Sequence, residues 1–262
     1  MPRFSCFRLR NEVAARGSVD VSERDGIRYL HLGSETIQSA MRIARPNDLE
    51  LSYTRSMLAF LLFVPPPRHA VMIGLGGGSL AKFIHARMPH TRVTAVEINP
   101  QVMTAARQFF ALPESSERLS VEIGDGAAFV QSLAGAADVL LVDGYGTDAG
   151  APELATASFY EDCERALTDN GVLVTNLFTG RPGLGAHLRL LEQAFPGRLL
   201  QLTDAGRGNL IVMGFVRAQG RPTWRALERR AGELQAQLGL EFPEFVDRLR
   251  ERNRHDSRHL SV

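Results

Sequence analysis

The sequence predicts an α/β fold: a mostly parallel sheet with helices on both faces, preceded by a small N-terminal β appendage. Three observations predict it. From Val71 onward, short apolar runs alternate with amphipathic segments, the pattern of strands joined by crossover helices. Val71-Met72-Ile73 runs into Gly74-Leu75-Gly76-Gly77-Gly78, and an amphipathic segment follows from Ser79 to Met88, which reads as strand, tight turn and helix. A second apolar run from Val93 ends at Glu97, at roughly the 20-residue distance at which such folds place an acid on a ribose. Together the glycines and the acid specify a nucleoside pocket. Gly74, Gly76 and Gly78 let the backbone approach the ligand, and the N–H groups of the following helix start favour electron-rich groups.

Composition narrows the partners. With 262 residues and 44% hydrophobic content, the chain can bury a sizeable core. Lys and Arg total 30 against 29 acids, a net charge of +1, so no overall charge favours nucleic acid or an anionic membrane. Cys6 and Cys163 lie far apart without metal-site neighbours and read as ordinary thiols, and no metal is expected. No apolar run reaches the length of a membrane span, and the N-terminus, with Arg3, Arg8 and Arg10, lacks a signal-peptide core. The expectation is a cytoplasmic protein.

Taken in order, Val19–Val21 and Ile27–Leu32 are alternating runs separated by Asp25-Gly26, a hairpin signal. Pro46-Asn47-Asp48 is read as the cap of a helix from Leu49 to Phe63, stopped by Pro65-Pro66-Pro67. Strands are expected at 71–73, 93–97, 119–123, 138–142, 171–176 and 209–216. Helices are expected at 79–88, 100–110, 126–133, 156–167 and 183–194, with Pro100 at a helix start and Gly171 just past a helix end. After Val216, Leu227, Leu234 and Leu238 interleave with Arg225, Glu228, Arg229, Glu233 and Gln235. This is a helix packed on a surface of the chain or on a second copy in a homodimer, with its charges in solvent.

Ligands of such sheets sit outside the carboxyl ends of the strands. That rule collects Gly74–Gly78, Glu97, Asp125, Asp143 and Asn176 at one edge. Asp125, in Gly124-Asp125-Gly126, suits an adenine amino group or the cap of the next helix, and the two roles are compatible. Asp143 follows the apolar Val139–Val142 inside a glycine-containing turn and suits a base that orients an amine beside a sulfonium-bearing cofactor. The histidines show no arrangement with an activated Ser or Cys.

These residues resemble the polyamine aminopropyltransferases, spermidine synthase and its relatives, which are built on the Rossmann-like class I methyltransferase fold. The likeness covers about residues 27 to 216. The glycine loop is similar to the family's I-G-G-G-D-G-G, Val96-Glu97-Ile98-Asn99-Pro100 to V-E-I-D-P, and Gly124-Asp125-Gly126 to G-D-G. Leu141-Val142-Asp143 resembles the strand opening the D-x-x-D turn. Gln38 and Glu50-Leu51-Ser52-Tyr53 resemble the glutamine and E-x-x-Y that roof the active site.

The resemblance implies three parts: residues 1–67 as hairpin and linker helix, 68–218 as the nucleoside-binding catalytic domain, and 219–262 as a helical tail. It implies aminopropyl transfer from decarboxylated AdoMet, or use of AdoMet, to a small-molecule amine such as putrescine. Asp143 would be catalytic. Gly74, Gly76, Gly78, Glu97, Asp125 and Gly126 would hold the nucleoside, and Gln38, Tyr53, Tyr145 and Asp148 the acceptor. The amine end departs from the pattern. Gly77 stands where the family has the aspartate that recognises the amino group of decarboxylated AdoMet. Arg55 replaces the glutamate of Y-x-E, Gly146 the second acid of D-x-x-D unless Asp148 serves, and P-T-Y-P is absent around Thr203-Asp204. A diamine needs a carboxylate at each cationic end, so putrescine is expected to be a poor acceptor. Alternatives are a methyltransferase in which Arg42, Arg45 and Arg55 suit the carboxylate of AdoMet, and a nucleoside-binding protein without catalysis.

Overall fold

The computed structural model describes residues 18–144, 152–180 and 182–262, with the backbone of Ser5–Arg8. The chain opens with an antiparallel sheet of β1 (Ser5–Arg8), β2 (Val19–Arg24), β3 (Ile27–Leu32) and β4 (Ile37–Arg42), in that order. Asp25 and Gly26 both take positive φ between β2 and β3, the geometry a two-residue hairpin turn needs. One face of this sheet, through Val19, Val21, Leu30 and Met41, packs on Val102, Ala105 and Phe110.

Seven strands form the main sheet: β5 (His69–Ile73), β6 (Arg92–Glu97), β7 (Leu119–Ile123), β8 (Ala137–Val142), β9 (Leu167–Phe178), β10 (Leu199–Thr203) and β11 (Asn209–Phe215). Their order is β10-β11-β9-β8-β5-β6-β7, and β11 alone runs antiparallel to its neighbours. The chain therefore leaves β5 toward β6 on one side and returns to β8 on the other. A ligand crevice opens where the order reverses in this way.

Alternate strand residues point to opposite faces, and two separate cores result. Ala70, Met72, Val139, Leu141, Ile211 and Met213 meet α2 (Ser79–Arg87), α7 (Trp224–Leu238) and α8 (Phe242–Leu249). Val71, Ile73, Leu140, Val142, Leu210 and Val212 meet α4 (Gly126–Ser132), α5 (Ala157–Ala166) and α6 (Leu184–Ala194). Between β6 and β7 lies α3 (Pro100–Phe109), with Pro100 in its first turn and Asn99 capping Gln101 N–H at 3.0 Å. The cap removes one orphan amide and the proline loses none.

Three expectations are corrected. The run Leu49–Phe63 divides into α1 (Ser52–Ser56) and a 3-10 turn, Met57–Leu62, in which all six residues are buried. With no polar face, packing from every side overrides the 3.6-residue period. Pro46-Asn47-Asp48 caps no helix: Leu51 is the N-cap without a side-chain bond, and Asp48 pairs with Arg45 and Arg87. Gly171 lies inside β9, where a Cβ would meet Leu167 Cβ at 2.8 Å and the Thr168 oxygen at 2.9 Å. Close backbone approach, and not a helix end, requires the glycine. Strands β1, β4 and β10 were not anticipated.

The tail folds back on its own chain. Trp224, Leu227, Ala231, Leu234 and Leu238 are buried with the 3-10 turn and the sheet in one core, while Arg225, Glu228, Arg229, Glu233 and Gln235 stay exposed. Thr223 caps α7 through Ala226 N–H, and Gly239 ends it in a left-handed conformation. Because Leu234 is buried in that core, Leu234→Ala is expected to cost about 2–5 kcal/mol of stability. Urea unfolding should show a lower midpoint at unchanged slope. A loss below about 0.5 kcal/mol, the range of surface substitutions, would put α7 off the core.

Candidate active site

The glycine loop begins where three strands are knitted together. Gly74 N–H donates to Val96 O at 2.9 Å, and Asp143 N–H to Ile73 O at 2.9 Å. A Cβ on Gly74 would lie 2.5 Å from the Asp143 carbonyl oxygen, and its φ is +95°, so glycine is the residue this approach accepts. Gly76 and Gly78 also take positive φ, Gly78 as the N-cap of α2. Edge strand β4 lies across the loop: a Cβ on Gly76 would meet Ser39 Cβ at 3.6 Å and Gln38 O at 4.0 Å. Gln38 is thereby placed beside the loop.

Glu97, at the end of β6, reaches back under the loop. Its Oε2 accepts Leu75 N–H at 3.0 Å and its Oε1 accepts Asn99 N–H at 2.9 Å. Burial raises its pKa, opposed by backbone N–H groups of Asn99, Leu75, Gly76 and Ile98. The side chain expected at a ligand is thus also the brace that shapes the loop.

Asp125 caps α4, its Oδ1 accepting Ala127 N–H at 2.8 Å and Ala128 N–H at 3.0 Å. The helix-cap role holds, and both bonds use one oxygen. A Cβ on Gly126 would lie 2.3 Å from Ile73 Cγ2, so this glycine lets α4 close on β5. Two apolar side chains missed by sequence reading stand at the same edge. Ile98 and Ile123 remain 45% and 46% exposed, unusual for large aliphatics beside two carboxylates. Their signal was their position, one residue past Glu97 and two before Asp125.

Asp143 follows β8 and is partly exposed. Asn176, from β9, donates to Asp143 Oδ1 at 2.9 Å, and the Tyr53 hydroxyl, from α1, donates a second bond to the carboxylate. Burial pushes Asp143 up to about 6, against those two bonds, which lower it. Burial first and the Asp143 charge second hold the Tyr53 phenol well above its usual range. Tyr53 and Asp143, far apart in sequence, are brought into contact. Tyr145, Gly146 and Asp148 lie outside the described residues.

The amine end has a physical reason for its lost acid. A Cβ on Gly77 would meet Phe110 Cδ1 at 2.8 Å and Ser39 Oγ at 2.8 Å. The volume a side chain would need is filled by the end of α3 and by β4, and Ser39 Oγ in turn contacts Ser79 Oγ at 3.3 Å. The arginines expected to suit a carboxylate are spent elsewhere. Arg42 pairs with Glu50 at 2.7 Å, Arg45 with Asp48 at 3.4 Å and Arg55 with Glu241 at 2.8 Å. Arg55 also donates to the Leu49 and Glu50 carbonyls, joining α1 to the start of α8. Asp204 is engaged too, accepting from Ser52 Oγ at 2.6 Å, Gly206 N–H and Asn209 N–H.

Residues 50–180 match the spermine/spermidine synthase domain. A polyamine aminopropyltransferase of Chromobacterium violaceum is 44% identical over 97% of this chain and 98% of its own. The chain belongs to the spermine/spermidine synthase family. It is a transferase of the aminopropyltransferase type within that family. A spermidine synthase solved with the transition-state analogue AdoDATO shares the fold, with a TM-score of 0.64 at 19% identity over 80% of this chain and 73% of that one. Human methyltransferase-like protein 13, solved with SAH, gives 0.63 at 28% identity over 79% and 96%. Among the described residues no cluster of His, Cys, Asp and Glu is placed to hold a metal, and no helix is long and apolar enough to cross a membrane.

Since Phe110 and Ser39 close the space at residue 77, restoring the family's acid by Gly77→Asp is expected to destabilise the protein by about 1–3 kcal/mol through overpacking. Thermal unfolding measures this. A variant as stable as the parent would show that Phe110 moves aside freely.

Proposed function

We propose that the chain transfers an aminopropyl group from decarboxylated AdoMet to a small-molecule amine, releasing methylthioadenosine, in the cytoplasm. The observation that carries this reading is the Asp143 carboxylate, held by Asn176 and Tyr53 at the same sheet edge as the glycine loop. An AdoMet-derived ligand suits the residues present. Glu97 at the end of β6 suits ribose hydroxyls, Asp125 has a second oxygen for the adenine amino group, and Ile98 and Ile123 offer apolar surface for the purine. The loop backbone at Gly74, Gly76 and Gly78 faces the sulfur-bearing arm.

When bound, the donor supplies a carbon made electrophilic by its sulfonium. An attacking amine must be neutral, and Asp143 accepts the proton it sheds as the new bond forms. A base near 6 is ionised at neutral pH yet basic enough to take that proton. Gln38, Tyr53, Tyr145 and Asp148 are proposed to line the acceptor space. With Glu50 paired to Arg42 and Asp204 capped by Ser52 and backbone, the reading favours an acceptor with one recognised cationic end over putrescine.

A second reading, methyl transfer from AdoMet, is favoured by the likeness to the SAH-bound methyltransferase. Its earlier support from free arginines falls, because Arg42, Arg45 and Arg55 are paired. Isothermal titration with AdoMet, decarboxylated AdoMet and methylthioadenosine separates the two: preference for the decarboxylated form supports aminopropyl transfer, and preference for AdoMet supports methyl transfer.

Methylthioadenosine is expected to raise the melting temperature by mass action, and Glu97→Ala to abolish most of that rise. A folded Glu97→Ala protein with the full rise would remove Glu97 from the pocket.

Asp143→Asn is expected to lose turnover by about 10²–10⁴-fold while nucleoside affinity holds within a few-fold. In the parent, kcat/KM should climb as pH rises through about 6, because the active form is the ionised carboxylate. Normal turnover in the Asn variant would leave Asp143 a turn residue, and loss of nucleoside binding would make it a cofactor contact.

A further inference from the structure

Asp143 stands at one end of a chain of side-chain amides that no part of the proposed chemistry uses. Asn176 on β9 donates to Asp143 Oδ1 at 2.9 Å, and its own Oδ1 accepts from Asn209 Nδ2 on β11 at 3.0 Å. The Asn209 backbone N–H donates to Asp204 Oδ1 at 2.9 Å, and Asp204 Oδ2 accepts Ser52 Oγ at 2.6 Å. Ser52 precedes Tyr53, which bonds Asp143. The bonds close a ring through β8, β9, β11, the end of β10 and α1. Its inner members are among the most deeply buried polar groups of the sheet: Asn176 is 1% exposed, Asp204 4% and Asn209 9%.

An amide has two unlike ends, so each bond in the row dictates the next. A carboxylate at Asp143 requires the NH2 end of Asn176, which turns the Asn176 carbonyl toward β11. That carbonyl is met by the NH2 end of Asn209. Strand β11 is otherwise Leu210, Ile211, Val212, Met213, Gly214 and Phe215, so a buried asparagine at its first position has no packing rationale of its own. A buried amide left unmatched is destabilising, and polar networks of this kind are tolerated when every member is satisfied.

We propose that Asn209 is a positioning residue for the reaction: acting through Asn176, it holds the amide polarity that presents a donor to Asp143 and keeps this carboxylate oriented and ionised. The inference rests on Asp143 as the base of the site. Among the described residues the groups facing the carboxylate are Asn176 from β9 and Tyr53 from α1, and of these only Tyr53 titrates. Its phenol remains neutral across the range in which Asp143 responds, because burial and the Asp143 charge both raise it.

The test is Asn209→Asp, read by ¹³C NMR titration of the aspartate carboxyl carbons, with the Asp143 resonance assigned by its loss in Asp143→Asn. A carboxylate at 209 competes with Asp143 for the single NH2 of Asn176 and draws that amide toward β11. The Asp143 midpoint should rise by about one pH unit, the size of shift a lost hydrogen bond to the charged form produces. At pH 6, kcat/KM with any amine that turns over should fall several-fold, while the Kd for methylthioadenosine stays unchanged. Asn209→Leu, close in size and without a donor, keeps the test open if the aspartate variant does not fold, and the same upward movement is expected. An Asp143 midpoint equal to the parent's in the variant that folds overturns the proposal. The carboxylate is read directly, so the result stands apart from the identity of donor and acceptor: a moved midpoint in a protein that transfers no aminopropyl group would sustain the positioning role and sink only the assigned reaction.

Discussion

Two strand ends of the site approach each other backbone to backbone, at Gly74 and Asp143. A side chain on residue 74 would lie 2.5 Å from the Asp143 carbonyl oxygen, so β5 and β8 can end side by side only if that position has no Cβ. The same two residues are tied to the sheet by Gly74 N–H to Val96 O and Asp143 N–H to Ile73 O. The glycine loop and Asp143 are therefore built on one rigid junction at the switch point of strand order, and the separation of their backbones does not depend on any flexible side chain. Sites mounted on strand ends hold geometry in this way better than sites on free loops.

Three carboxylates share this edge, and their surroundings divide the labour. Glu97 is buried, and that burial raises its pKa against the backbone N–H groups that meet it. Asp125 is exposed and gives one oxygen to a helix cap. Among the described residues Asp143 is met by side-chain donors, Asn176 and Tyr53, and burial outweighs them, leaving it near 6. Backbone donors thus fix Glu97 to the loop, whereas side-chain donors set the orientation of Asp143.

Much of this was legible in the sequence because it rests on local signals. Alternating apolar runs marked six of the seven strands, and the positive-φ glycines with Glu97 marked the loop. The ends of β5, β6 and β8 then followed from the rule that ligands sit at the carboxyl edge. What escaped were features set by tertiary contact. Met57–Leu62 is packed on every side, so its period said helix while its environment selected a 3-10 turn. Arg42, Arg45 and Arg55 read as free charges because their partners Glu50, Asp48 and Glu241 are known only once the chain is folded. Asn209 read as the start of an apolar strand, since its meaning lies in Asn176, on another strand. Ile98 read as part of the motif after Glu97 and Ile123 as a strand residue, and their exposure is known only once the chain is folded.

The glycine at residue 77 goes with a close seam between the loop and the N-terminal sheet. With glycine at 77, Phe110 closes over the loop and Ser39 approaches Ser79, so the N-terminal sheet sits down on the loop without an intervening charge. Lys82, one turn into α2, is buried in the same seam. It donates to the carbonyls of Pro46 at 2.8 Å and Phe110 at 2.5 Å, and burial lowers its pKa to about 8. The ammonium is met by two carbonyls and by the Met41 sulfur at 3.2 Å, with no acid among these partners, and an aspartate at 77 would be poorly accommodated next to the Phe110 ring. Under the proposed reaction, recognition of the amine falls to the opposite wall, where Tyr53 and Asn176 bond to Asp143. A carboxylate asked both to orient an amine and to take its proton would need to be held from more than one side, and that is the part proposed for the ring through Asn209 and Asp204.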